Sequence, residues 1–199
     1  MTEKGNIRAV DGENTVFPPG RKSVTLITGG HGSGKTAMAL KLAAGYSDKL
    51  YIATAEPIDS EMCQKIALHK AERGDSYTTL EVSLQLPETL NNLTASGVIV
   101  VDCLTVWLGN LLHHEKDAVK YTVDLCTALP LRCADIILIT NESGLALIPP
   151  DPLSRKYLKL LTEMNKRLAE IAGEVCMMVS GAPLWLKRDL QRYISSTLH

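Results

Sequence analysis

The residues Gly29-Gly30-His31-Gly32-Ser33-Gly34-Lys35-Thr36 spell G-x-x-x-x-G-K-[ST], a pattern whose types and spacing suit a nucleoside triphosphate. Glycines let consecutive backbone N–H groups turn inward around phosphate oxygens, a concavity that side chains would block. A helix beginning there adds positive character at its N-terminus. Lys35 would reach the terminal phosphates, and the Thr36 hydroxyl would ligate Mg²⁺. The bland alternative is a glycine-rich turn that holds nothing. A second candidate is Asp102, which closes the apolar run Val98-Ile99-Val100-Val101. It can hold Mg²⁺ directly or through water, or it can cap a helix that starts near Leu104. A third is His69, which shares an apolar helical face with Met62 and Ile66, with Lys70 beside it and Arg73 one turn on. Such a histidine suits a core position bonded to a neighbour. Beside fixed cations it also suits nucleophilic attack on phosphorus, the cations offsetting charge on the phosphate oxygens. His31 lies inside the loop and can touch ligand, His113 and His114 close an apolar helix, and no group of histidines has metal-site spacing.

These residues need a scaffold, and the pattern supplies one. From Val24 onward, short β-branched runs alternate with longer segments of helical period, the signature of a mostly parallel α/β sheet with helices on both faces. Strands are expected near 24–28, 50–54, 98–102, 136–140 and 175–180, each apolar without alternation, as for strands covered on both sides. Helices are expected near 35–45, 57–72, 104–114, 116–129 and 153–172, the last with the clearest apolar face. The phosphate-binding pattern thus falls between a strand and a helix. Residues 1–22, ending in Pro18-Pro19-Gly20, have neither period and read as a flexible leader, with an edge strand through Thr15-Val16-Phe17 as the alternative. Residues 23–199 read as one domain.

The chain has 199 residues, 21 Lys+Arg against 22 Asp+Glu, and a net charge of -1, which excludes a globally basic surface for nucleic acid. Aromatic residues make up only 5%, so a stacking platform for single strands is not expected. The cysteines (Cys63, Cys103, Cys126, Cys133 and Cys176) include no CxxC pair and suit a reducing compartment. No apolar run approaches the length of a membrane span, and Met1–Gly5 lacks the apolar core of a signal peptide. A cytoplasmic protein is expected.

The motifs together resemble the bifunctional adenosylcobinamide kinase / adenosylcobinamide-phosphate guanylyltransferase family of cobalamin biosynthesis. The matching pieces are the loop 29–36, Tyr51-Ile52-Ala53-Thr54, Asp59-Ser60-Glu61-Met62, Ile66-Ala67-Leu68-His69-Lys70, Arg73, Glu81, the run from Val101 to Leu112, Thr140-Asn141-Glu142-Ser143-Gly144, and Val179-Ser180-Gly181. The resemblance implies a P-loop NTPase with a RecA-like core, a homotrimer, and two reactions. ATP or GTP phosphorylates the aminopropanol hydroxyl of adenosylcobinamide. His69 then takes GMP from GTP, forming a guanylyl-histidine, and passes it to adenosylcobinamide phosphate to give adenosylcobinamide-GDP. By the same resemblance, the GTP contacts fall on residues 29–36, on Thr54, Ala55 and Glu56, on Lys70, Ala71, Glu72 and Arg73, and on Glu81 and Asp102. The chain departs from the family pattern at Gly32, at Tyr77, at Ser143 in the Asn141–Gly144 loop, at Thr162 and at Gly173. Two other readings remain open: a different small-molecule kinase in which His69 is structural, and a RecA-like nucleotide switch whose partner is a protein.

Overall fold

The computed structural model describes residues 23–57, 64, 76–94, 97–131 and 134–188. The expected helix over 57–72, with His69 on it, and the leader 1–22 lie outside the described residues apart from positions 57 and 64. The chain runs β1 (Val24–Gly29), α1 (Lys35–Ala43), β2 (Lys49–Ala53), β3 (Thr78–Glu81), α2 (Leu86–Asn92), β4 (Val98–Asp102), α3 (Leu104–His113) and α4 (Ala118–Ala128). It continues through β5 (Asp135–Ile139), α5 (Pro152–Ile171), β6 (Glu174–Val179) and β7 (Ala182–Lys187). The strands form one seven-stranded sheet in the order β3-β2-β4-β5-β1-β6-β7, parallel throughout except for β7.

The unbroken apolar runs of the central strands split between two cores, because successive side chains point to opposite faces. Leu26, Leu50, Ile52, Ile99, Val101, Ile136 and Leu138 pack on one face against Leu86, Leu104, Trp107, Leu108, Leu111, Leu125, Leu161, Met164 and Leu168 from α2, α3, α4 and α5. Ile27, Tyr51, Val98, Val100, Ile137 and Ile139 face the other way, against Met38, Ala39, Leu42 and Ala43 of α1. Both faces are therefore covered, which is why these strands show no polar alternation. Two helices begin on side-chain caps. Asp117 accepts from the amides of Val119 and Lys120, and Asp151 accepts from Ser154 just ahead of Pro152 at the start of α5.

The five expected strands are present within a residue at each end. The structure adds β3 and β7, which are edge strands, and the seven-residue α2. β7 folds back on β6 through Ser180-Gly181, whose φ values of 50° and 84° make the left-handed pair that a tight hairpin requires. No helix among the described residues is long and apolar enough to cross a membrane.

Candidate active site

Parallel strands bring their carboxyl ends to one edge, and the candidate residues collect there. Register places Glu81, Ala53 and Asp102 side by side on β3, β2 and β4. One strand further, β5 ends beside β1, which runs directly into the phosphate-binding loop.

The loop needs its glycines for measurable reasons. Gly29, Gly32 and Gly34 have φ of 145°, 66° and 91°. At Gly29 a Cβ would also stand 2.4 Å from the carbonyl oxygen of Met178 on the adjacent strand, so both the torsion and the space exclude a side chain. Gly34 caps α1, and Lys35 and Thr36 occupy its first turn. Lys35 is buried, and its Nζ donates to the carbonyls of Gly29 at 3.2 Å and Gly30 at 2.6 Å. Burial lowers the Lys35 pKa from the ordinary lysine value, while the nearby Asp102 carboxylate opposes that shift. The ammonium therefore sits in the cradle with its charge poorly solvated, and phosphate oxygens are the partners that would offset this. The hydroxyls of Thr28 and Ser33 are buried there without a protein hydrogen-bond partner, leaving further capacity for a polar ligand.

Asp102 does not cap the following helix. Cys103 is the N-cap of α3 and makes no side-chain cap bond. The Asp102 carboxylate instead accepts at Oδ2 from the Thr36 hydroxyl at 2.9 Å and from the Tyr51 hydroxyl at 2.6 Å. A hydroxyl and a carboxylate oxygen thus converge beside the phosphate cradle. That hard-oxygen pair suits Mg²⁺, which keeps most of its waters and needs few protein ligands. Sequence does not mark Tyr51, because a tyrosine in an apolar strand reads as core. Its ring is core, but its hydroxyl orients the carboxylate.

Beyond β2, Thr54 is buried, and its hydroxyl donates to the Cys103 carbonyl and accepts from the Cys103 amide, both at 2.8 Å. Ala55 and Glu56 follow, half-buried, and Glu81 is exposed at the end of β3. Glu56 Oε2 lies 3.0 Å from His114 Nε2. That hydrogen bond, then one with Ser83, holds the Glu56 carboxyl below its ordinary range. On the other side of the cradle, the Glu142 amide donates to the Gly29 carbonyl, and Asn165 Nδ2 donates to the Asn141 carbonyl at 3.0 Å. Thr140 and Thr105 complete that support, the first donating to Asn165 Oδ1 and the second accepting from the Asn141 amide. The structure thus brings residues 29–36, Thr54, Ala55, Glu56, Glu81 and Asp102 to one edge. His69, Lys70, Ala71, Glu72 and Arg73 lie outside the described residues.

Residues 25–186 match the family described as cobinamide kinase / cobinamide phosphate guanyltransferase. The chain belongs to this family. It is 39% identical over 171 residues to the bifunctional adenosylcobalamin biosynthesis protein CobP of Pseudomonas aeruginosa, covering 82% of this chain and 97% of that one. It is 32% identical over 178 residues to the bifunctional adenosylcobalamin biosynthesis protein CobU of Escherichia coli, covering 81% and 98%. In solved structures the fold recurs in a prototypical ATPase of a bacterial type III secretion system, with TM-score 0.52, 10% identity, and coverage of 85% of this chain and 58% of that one. A Pyrococcus horikoshii protein is similar at TM-score 0.51 and 10% identity, over 83% of this chain and 86% of that one. This cobinamide kinase family member therefore has the mostly parallel P-loop NTPase sheet that its motifs imply, with the RecA-like core that the family resemblance implies.

Tyr51→Phe isolates the second bond to Asp102. It keeps the buried ring and removes one hydroxyl, so the fold should persist while the carboxylate becomes freer to turn. The expected result is about a three- to tenfold higher Mg²⁺ requirement for nucleotide turnover, as for loss of one hydrogen bond worth about 1 kcal/mol net. A Mg²⁺ titration of initial rates reads it. An unchanged Mg²⁺ midpoint would show that Thr36 alone orients Asp102.

Proposed function

We propose that this protein phosphorylates adenosylcobinamide with ATP or GTP and then transfers GMP from GTP to adenosylcobinamide phosphate, giving adenosylcobinamide-GDP. The observation that carries this reading is the family match over residues 25–186, which contains the whole phosphate cradle and the Asp102 carboxylate. In the kinase step the backbone of residues 29–34 and the Lys35 ammonium bind the phosphates, and the acceptor hydroxyl attacks the terminal phosphorus as the bond to the departing nucleoside diphosphate breaks and the hydroxyl proton passes to solvent. Thr36 and Asp102 would hold Mg²⁺, which neutralises charge on the phosphate oxygens when bound.

In the guanylyl step a ring nitrogen of His69 attacks the α-phosphorus of GTP. An N–P bond forms as the bond to pyrophosphate breaks. The phosphate ester of adenosylcobinamide phosphate then attacks the same phosphorus, the N–P bond breaks, and His69 is regenerated. Lys70 and Arg73 offset charge on the phosphate oxygens, and Thr54, Ala55, Glu56, Ala71, Glu72, Glu81 and Asp102 complete the nucleotide contacts. The family resemblance supports this assignment, as does the meeting of the described members at one sheet edge. We place the enzyme in the cytoplasm as a homotrimer, with residues 23–199 as its single domain and 1–22 as a leader.

Purified protein given adenosylcobinamide, ATP and Mg²⁺ should form the phosphate ester, and GTP should carry that product on to adenosylcobinamide-GDP, both followed by mass spectrometry. Phosphorylation without the second product would reduce the protein to a kinase with a structural His69. Neither product, with nucleotide bound, would favour the nucleotide switch.

A further inference from the structure

One face of α3 is spent on a task the reaction scheme does not name. Trp107, Asn110 and His114 recur at three- and four-residue spacing, so they share one side of the helix and its cap. All three reach across to the loops that leave β2 and β3. Trp107 Nε1 donates to the Leu84 carbonyl at 2.8 Å. Asn110 Nδ2 donates to the Thr54 carbonyl at 2.7 Å and to the Ser83 carbonyl at 3.1 Å. His114 Nε2 lies 3.0 Å from Glu56 Oε2. The two protons of one amide nitrogen are thus used to tie two loops together. Those loops follow β2 and β3 directly, where Ala53 and Glu81 are neighbours in register.

We propose that Asn110 is a positioning residue for the nucleotide: with Trp107 and His114 it fixes the spacing between the Thr54–Glu56 loop and the Ser83–Leu84 loop, and so places the contacts to the nucleoside end of GTP. This rests on the assignment of Thr54, Ala55, Glu56 and Glu81 as nucleotide contacts. The phosphate end is held by residues 29–36 at the start of α1 and by Asp102, whose carboxylate is oriented by Thr36 and Tyr51 and whose backbone carbonyl accepts from the Thr54 amide at 3.1 Å; the side chains of Trp107, Asn110 and His114 bond instead to the loops after β2 and β3. The device therefore discriminates between the two ends of one ligand. Asn110 is suited to it because an aspartate would have no proton for either carbonyl and a leucine would leave both unpaired.

The test compares two probes on the full-length protein by calorimetry, Mg²⁺–GTP and Mg²⁺–tripolyphosphate. Asn110→Ala should weaken GTP about tenfold, as expected for two lost hydrogen bonds, and leave tripolyphosphate within about twofold. His114→Ala, at a more exposed position, should weaken GTP about threefold with the same indifference of tripolyphosphate. It serves as the deciding variant if Asn110→Ala does not fold. Equal weakening of both probes would reveal a general structural defect and overturn the proposal, as would unchanged GTP affinity in the folded variants. Glu81→Ala separates the two layers of inference. If it weakens GTP while the α3 variants do not, the nucleotide contacts stand and the clamp falls. If Glu81→Ala and the α3 variants all leave GTP unchanged, the nucleotide placement itself is wrong and the clamp falls with it.

Discussion

Replacing Lys35 with alanine should lower both phosphoryl transfer to adenosylcobinamide and guanylyl transfer by about 10²–10³-fold, the usual consequence of removing one preorganised donor from developing phosphate charge. Its Nζ is fixed by the Gly29 and Gly30 carbonyls, so the cation waits in the cradle instead of being recruited from solvent. Both reactions start from a nucleoside triphosphate and draw on the same cradle, so neither should escape. Lys35→Arg should fail to restore the rates, because a planar guanidinium is a poor substitute for a compact ammonium in a buried loop built on glycines. Fold stability should change little, since alanine removes a buried charge along with its two bonds to carbonyls. The decisive measurements are steady-state rates for each reaction and a thermal midpoint on the same preparation. Wild-type guanylyl transfer in a folded Lys35→Ala protein would mean that the two reactions use different phosphate sites.

How much of this was legible in sequence depends on how local the constraint is. The cradle is readable because its chemistry dictates residue type: φ of 145° and 91° at Gly29 and Gly34 admits little else. Asp102 was readable as the polar stop of an apolar strand. Tyr51 and Asn110 lie within longer matching runs, and nothing local in the sequence marks their roles. The partner of Tyr51 lies on β4, and those of Asn110 lie beyond β2 and β3, so pairing is set by sheet order. His114 reads in sequence as an ordinary polar helix end, although it faces Glu56.

The same logic explains the elements that sequence did not reveal. β3 reads Thr78-Thr79-Leu80-Glu81, largely exposed at the sheet edge, so it lacks the doubly covered apolar signature of its neighbours. β7 is likewise an exposed edge, and only the Ser180-Gly181 turn announces it. α2 is one short amphipathic stretch opened by a proline. What escaped is peripheral to the sheet but not to the site, since β3 carries Glu81 and its following loop meets Asn110.

His69→Ala should divide the two activities. Guanylyl transfer should fall by about 10⁴-fold or more, as when a covalent nucleophile is deleted, while phosphorylation of adenosylcobinamide should stay within about fivefold of wild type. The asymmetry follows from bond-making. The kinase step joins the terminal phosphorus to an external hydroxyl and needs the cradle, Lys35 and the Thr36–Asp102 pair. Only the guanylyl step is assigned a bond to the protein itself. GTP labelled at the α-phosphate should leave label on the wild-type chain that is lost in acid and kept in alkali, the pattern of a phosphoramidate. Label at the γ-phosphate should not transfer. His69→Asn, which keeps a polar side chain without a nucleophilic ring nitrogen, should behave as His69→Ala does, separating loss of the nucleophile from loss of packing. Covalent label persisting in both variants would move the nucleophile elsewhere. Equal loss of both activities in folded protein would instead make His69 part of the common cradle, and the two reactions would then have to be explained without a covalent intermediate on this residue.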